Sequence, residues 1–503
     1  MDPGSEYQAG EKGKGAPNPA VLYGLLIASV LFAVFLVLDY RMNWQSWDYP
    51  EGYYPRIVRN GPGLVPEDIA RIFNADDTGF LQNTGRVRYF QNLVLLLDAK
   101  ARVWLFRYLP PHPSVSLAWV TTLLAPVFFF KFLRLWSNDP TAAKIGTILF
   151  ILSTGFLSHI NLICNPGKAL ATFIGVVSLY LAEKTRVRLA SSGRLTRPVL
   201  GSYLLLLLFL YIGFFTDEIA WIFLLLVPLL VPGLFQVRET RGLSAAIYAS
   251  VLLLITVSVL YVAPELIRRA TPGNPRISIL ALNLAPCEDS APLSRFWEWF
   301  NLPYLVRSIR NLLSRQLVLI GKPWTLLAYF FIVPYFLLAY SRMEPFRRRL
   351  AVRSLAALFL FIGYQAFGFA SVYHEDGFAI LNPYYYGSQL AIFLPIPISL
   401  FLSRGKGRAA RLINTAILLF LVGVLTHNYF PISREIRKSD GGFSDYGHLE
   451  WSVALEAYER RNDPEAIGEI RKRFPPRSPW SYIQEVELSA RENARRRSLR
   501  GDH

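Results

Sequence analysis

At 503 residues, 52 % hydrophobic and only 18 % charged, with a mean hydropathy of +0.30, the chain has too little charge for a string of soluble domains, which run nearer a quarter charged. Its net charge of +17 does not mark a nucleic-acid binder, because the basic residues cluster in short connections between apolar runs, as in loops held on the cytoplasmic side of a membrane. Two cysteines, Cys164 and Cys287, exclude a disulfide framework and a zinc ribbon.

Residues 1–20 are polar and rich in Gly, Pro and Lys, and read as a disordered cytoplasmic tail. Runs of about twenty apolar residues then predict an all-α polytopic membrane protein of about eleven transmembrane helices. The first span, 21–40, leads into a long connection, 41–114. Within it, 66–75 opens on Pro66-Glu67-Asp68, an acidic helix start. Residues 89–108 mix Leu, Val, Trp and Phe with Asp98, Lys100, Arg102 and Arg107, the pattern of an amphipathic helix lying in the membrane surface. Spans 115–136, 142–163, 167–183, 199–215, 219–235 and 243–263 follow, with 199–215 and 219–235 close enough to form a tight helical hairpin. A second long connection, 264–322, spaces Arg307, Arg310 and Arg315 among leucines. Spans 324–341, 351–372, 385–402 and 409–427 complete a transmembrane domain over 21–427. Residues 428–503 read as a soluble, basic outer segment, helical around 448–472.

Basic connections set the orientation. Lys184, Arg186 and Arg188 follow the fourth span, Arg238 and Arg241 the sixth, Arg347, Arg348 and Arg349 the eighth, and Arg404 and Arg408 the tenth. All four connections fall on one side if the spans alternate, and that side is the cytoplasm. The N-terminus is then inside, the C-terminus outside, and the connections 41–114 and 264–322 outside.

The span interiors hold almost no Asp, Glu, Lys or His, which argues against ion-coupled transport. Polar groups concentrate at the outer ends instead. Asp76-Asp77 lies in the first outer connection; adjacent carboxylates suit a general base or a divalent metal ion, since each restrains the other's charge. Arg86 and Arg88 follow, with guanidinium groups suited to a phosphate. Lys168 stands at the outer start of the fourth span, a cation for a lipid phosphate or an interfacial anchor. Asp217-Glu218 is the polar break in the hairpin, where solvation of the turn is the simpler account. His374-Glu375-Asp376 follows the ninth span. No P-loop, dinucleotide fingerprint or zinc-binding helix motif is present, so nothing marks direct use of a nucleotide.

This arrangement resembles the GT-C superfamily of integral membrane glycosyltransferases: a cytoplasmic N-terminus, one span, a long outer loop with surface helices and an acidic pair, then many short-looped spans. The resemblance covers most of 21–427 and implies sugar transfer from a polyprenyl-phosphate-linked donor to a glycan, lipid or protein acceptor on the outer face of the cell membrane (in a bacterium, the inner membrane). It places the acidic group at Asp76 or Asp77. Family members often carry it nearer the first span, where this chain has Asp39, Asp48 and Glu51. Two other readings predict different dependences: a polysaccharide polymerase or ligase would rely on arginines of 264–322, and a non-catalytic subunit or lipid transporter on no outer carboxylate.

Overall fold

The computed structural model describes residues 16–38, 63–64, 72, 89–105, 117–161, 166–192, 196–236, 241–258, 262, 306, 309–310, 313–314, 316–368, 390–405, 407–439 and 465. Every regular element among them is helical: α1 Pro19–Leu38, α2 Tyr89–Leu105, α3 Leu117–Ser137, α4 Pro140–Leu152, α5 Thr154–Asn161, α6 Pro166–Ser192, α7 Arg197–Phe214, α8 Glu218–Trp221, α9 Phe223–Leu230, α10 Gly233–Gln236, α11 Arg241–Val257, a 3-10 helix Pro323–Ala328 running into α12 Tyr329–Ser341, α13 Pro345–Gly368, α14 Leu390–Phe393, α15 Pro395–Leu402 and α16 Gly407–Ser439.

Five helices among the described residues are long and apolar enough to cross a membrane: Pro19–Leu36, Val120–Ser137, Arg197–Phe214, Pro323–Ser341 and Gly407–Ile432. Their surfaces fit hydrocarbon and not water. Phe331 is 80 % exposed, Phe330 73 % and Leu337 65 % on α12 alone, a contiguous apolar face that a water-soluble monomer would not tolerate.

Three runs read as single spans are jointed, and each joint has a local cause. The run 142–163 breaks at Ser153, whose hydroxyl donates to the Phe150 carbonyl at 2.7 Å and accepts from the Phe156 amide at 3.2 Å. A serine able to serve both helix ends offers the backbone an alternative to continuing the helix. The run 219–235 divides into α8, α9 and α10, with Pro228 inside α9. The run 385–402 divides between α14 and α15, with Pro395 at the first position of the second piece, where its missing N–H costs nothing.

Elsewhere helices run past the predicted ends. α6 carries on through Lys184, Arg186 and Arg188, which had been read as a connection; all three are good helix formers, and Glu183–Arg186 is an i,i+3 ion pair. α16 likewise continues through residue 427 to Ser439.

Two helices organise the bundle. α6 packs against α3, α7, α9 and α10, and α4 against α1, α3, α15 and α16. Ring contacts join the helices: Phe129 stacks on Phe150 at 4.7 Å and Phe336 on Phe401 at 4.9 Å, while Phe361 meets Phe393 tilted at 5.1 Å. α4 begins cleanly because Pro140 follows Asp139, whose carboxylate accepts from the Thr141 and Ala142 amides at 2.9 and 3.4 Å, an N-cap. The other Asp139 oxygen meets Arg347 Nη2 at 2.9 Å, and Arg347 also donates to Ser403 at 3.3 Å. Three connections thereby join at one end of the bundle. Burial lowers the Arg347 pKa from its ordinary value, and Asp139 works against that shift.

The helix expected at 89–108 is present as α2 over Tyr89–Leu105, and its polar side chains are buried in the protein. Gln91, Asn92, Asp98 and Lys100 are buried, while Leu97 is 42 % exposed. Two of these groups have partners in the first connection: Lys100 Nζ donates to the Gly63 carbonyl at 2.7 Å and Asn92 to the Ile72 carbonyl at 3.2 Å.

Candidate functional site

The polar focus at the opposite end starts from two short sequences. In the first, Pro166 opens α6 and Lys168 falls in its first turn. A cation there opposes the helix dipole and calls for a carboxylate. The second sequence supplies it. After α7 the chain turns through Phe215, Thr216 and Asp217: the Phe215 amide bonds the Ile212 carbonyl at 3.1 Å, and the Thr216 amide bonds Gly213 at 3.1 Å. Trp221 closes the turn, stacking on Phe214 at 4.7 Å and donating its indole N–H to the Phe214 carbonyl at 2.8 Å. Asp217 is thereby aimed back at α6.

Lys168 Nζ lies 3.0 Å from both Asp217 Oδ1 and Oδ2. The two side chains are 1 % and 0 % exposed. Read from sequence, Lys168 is a cation for a lipid phosphate or an interfacial anchor, and Asp217 a supporting site residue or a solvated turn; in the structure the two are buried against each other. A carboxylate held by both oxygens on one ammonium is a fixed post, suited to positioning and poorly suited to taking a proton.

A third element closes over this pair. The α2 amide of Phe90 donates to the Phe215 carbonyl at 2.9 Å, and that of Gln91 does so at 3.4 Å. Tertiary contact thus satisfies N–H groups that a helix start leaves open. Tyr89 stacks on Phe215 at 5.7 Å, and burial pushes its hydroxyl above the ordinary range. The Gln91 carboxamide occupies the space where a side chain on Gly167 would stand, so the glycine beside Lys168 is required for this approach.

His159 is the residue that reading the sequence missed. It sits on α5, 6 % exposed, within Coulomb range of both Lys168 and Asp217. Its Nε2 is buried and without a hydrogen-bond partner. Its signal was a lone imidazole near the outer end of the apolar run 142–163.

The remaining candidates fall differently. Asp76, Asp77, Arg86, Arg88, His374, Glu375 and Asp376 lie outside the described residues, as do Cys164 and Cys287. Glu218 begins α8 beside Asp217. Among the described residues no three of His, Cys, Asp and Glu gather as a metal site.

No protein-family model and no curated protein matches the chain. Among solved structures it is similar to the Archaeoglobus fulgidus oligosaccharyltransferase. For the complex with an inhibitory peptide and a dolichol-phosphate the identity is 13 % and the TM-score 0.41, over 93 % of this chain and 63 % of that one. For the complex with Zn and sulfate the identity is 13 % and the TM-score 0.39, over 91 % and 58 %. For the apo form the values are 14 % and 0.38, over 94 % and 64 %. The chain spans less than two thirds of the length of these structures.

Proposed function

We propose that this chain is a GT-C-type membrane glycosyltransferase that moves a sugar from a polyprenyl-phosphate carrier to an acceptor hydroxyl at the outer membrane face. One observation carries the reading: α2, which follows Arg86 and Arg88 directly, is docked by Tyr89 and Phe90 onto the 215–217 turn and its buried Lys168–Asp217 pair. The start of α2, which follows Arg88 in sequence, is thereby fixed on a buried post at one end of the bundle, which suits the positioning of a lipid-borne substrate at a set height.

The proposed chemistry needs few groups. A carboxylate of Asp76 or Asp77 takes the acceptor proton as the oxygen attacks the anomeric carbon. The bond from that carbon to the phosphate oxygen breaks, and the phosphate leaves with the electron pair. Arg86 and Arg88 offset the charge it gains. Lys168 and Asp217 act as positioning residues. The carboxylate pairs at 76–77 and 375–376 also suit a divalent metal ion.

The test uses the full chain in nanodiscs with a panel of polyprenyl-phosphate sugars. Transfer is expected, and Asp76→Asn or Asp77→Asn should lose roughly 10²–10⁴ in rate at unchanged yield and elution. Normal transfer by both single variants would move the base to Asp39, Asp48 or Glu51. No transfer from any lipid-linked donor would sink the enzyme reading.

A further inference from the structure

Among the described residues, Lys144 makes no hydrogen bond and no ion pair; its Nζ lies 3.7 Å from the centroid of the Tyr23 ring. The two residues come from different helices and stand in the second turn of each, α4 beginning at Pro140 and α1 at Pro19. These helices pack against each other. The pair therefore lies near the end of the bundle that also holds Asp139 and Arg347, and that aspartate is already taken by the α4 cap and by Arg347.

The ring face offsets part of the ammonium's charge, but it gives no lone pair to the three N–H donors. Lysines and tyrosines are both usual at a membrane boundary, the ring as an anchor and the lysine stretching its head into water. That habit does not bring an ammonium onto the ring of another helix. Held there with its donors unmet, it suits an anion, and the adjoining surface indicates which. Tyr23, Ile27, Leu31 and Phe35 recur every four residues along α1, and each is more than half exposed. At about 1.5 Å per residue this apolar track is about 18 Å long, a little over half of a ~30 Å hydrocarbon core. It begins at the ring that carries the ammonium. A second copy of the chain laid on the same face brings no anion to it, because α1 contains no Asp or Glu and an isologous contact presents the same face.

We propose that Lys144 and Tyr23 form a headgroup site for an anionic phospholipid: the phosphate accepts from the Lys144 ammonium and the Tyr23 hydroxyl, and an acyl chain lies along Ile27, Leu31 and Phe35. A charged acceptor gives the ammonium the strong hydrogen bonds that the ring withholds. This site is independent of the glycosyltransferase reading and stands or falls without it.

Native mass spectrometry of the full chain, released from nanodiscs containing equal phosphatidylglycerol and phosphatidylcholine, tests the proposal. Phosphatidylglycerol should be retained with about fivefold preference, the selectivity of one lysine at an anionic surface. K144Q should lose that preference, and K144R should keep most of it. K131Q removes the same charge from α3, where the Lys131 ammonium lies over the Phe128 ring of its own helix, and should leave the preference unchanged. Equal retention of both lipids by the unaltered chain, or a loss in K131Q as large as in K144Q, would overturn the site. Displacement of phosphatidylglycerol by millimolar inorganic phosphate would overturn the lipid assignment in favour of a free anion, and a lipid-free dimer would overturn it in favour of a second copy. Should K144Q fail to fold, Y23L decides in its place: it must lower the preference, and an unchanged preference would overturn the site.

Discussion

Replacing Lys168 with Met would take from Asp217, a carboxylate at 0 % exposure, the ammonium 3.0 Å from its Oδ1. Removing one partner of a buried pair costs about 3–5 kcal/mol, most of it the penalty of stranding the other charge. Asp217→Asn should cost a similar amount, because it strands Lys168 in turn. The double variant K168M/D217L removes both charges at roughly conserved volume, so it should cost far less than the sum of the single changes, with a coupling of at least about 3 kcal/mol. The measurement is unfolding by SDS in mixed micelles, followed by intrinsic fluorescence, for the four members of the cycle. The contact between Lys168 Nζ and both oxygens of Asp217 at 3.0 Å requires that coupling. Single-variant costs that simply add, within about 0.5 kcal/mol, would show that the two groups do not meet in the interior.

Gly175→Ala should destabilise the bundle by about 1–3 kcal/mol or more, because a Cβ there strikes the Phe223 ring, itself 1 % exposed and pinned against Phe393; the same SDS titration reads it, and a neutral result would refute the close approach of α6 and α9. Asp139→Asn keeps the α4 cap but strands Arg347, whereas Asp139→Ala loses the cap as well and should cost about 1 kcal/mol more; equal costs would mean that the cap contributes nothing. Asn428→Leu removes a pair of bonds, to the Val318 carbonyl at 2.7 Å and from the Ile320 amide at 3.0 Å. With those backbone groups left unpaired, it should cost about 1–3 kcal/mol and open the 318–320 segment to protease, which unchanged digestion would contradict. In a background without Cys164 and Cys287, a cysteine at Ser191 should react only with reagent on the cytoplasmic side and one at Ser444 only from outside; labelling of both from one side would overturn the alternation read from the basic connections.

What the sequence determined by itself was set by solvent. Hydrocarbon selects long charge-free runs, so α1, α3, α7, α12 and α16 were legible as apolar stretches before any contact was known. The cap at Asp139-Pro140 and the piece of helix beginning at Pro395 were likewise local, because they depend on groups within three or four residues. What the sequence could not decide was which polar groups face one another. Lys168 and Asp217 are 49 residues apart and Asp139 and Arg347 are 208 apart. Read singly, a lysine at a helix start and an aspartate in a turn look solvated, and only packing of α6 against the turn after α7 makes them a buried pair. The same holds for α2: an amphipathic pattern states that a helix has unlike faces, and only the tertiary structure shows that Gln91, Asn92, Asp98 and Lys100 are buried against other parts of the chain. His159 was hidden in a run whose apolarity announced a span, and its meaning comes entirely from Lys168 and Asp217, which arrive beside it from other helices. Periodicity is a property of neighbours along the chain, whereas the charge balance of a buried site belongs to neighbours in space.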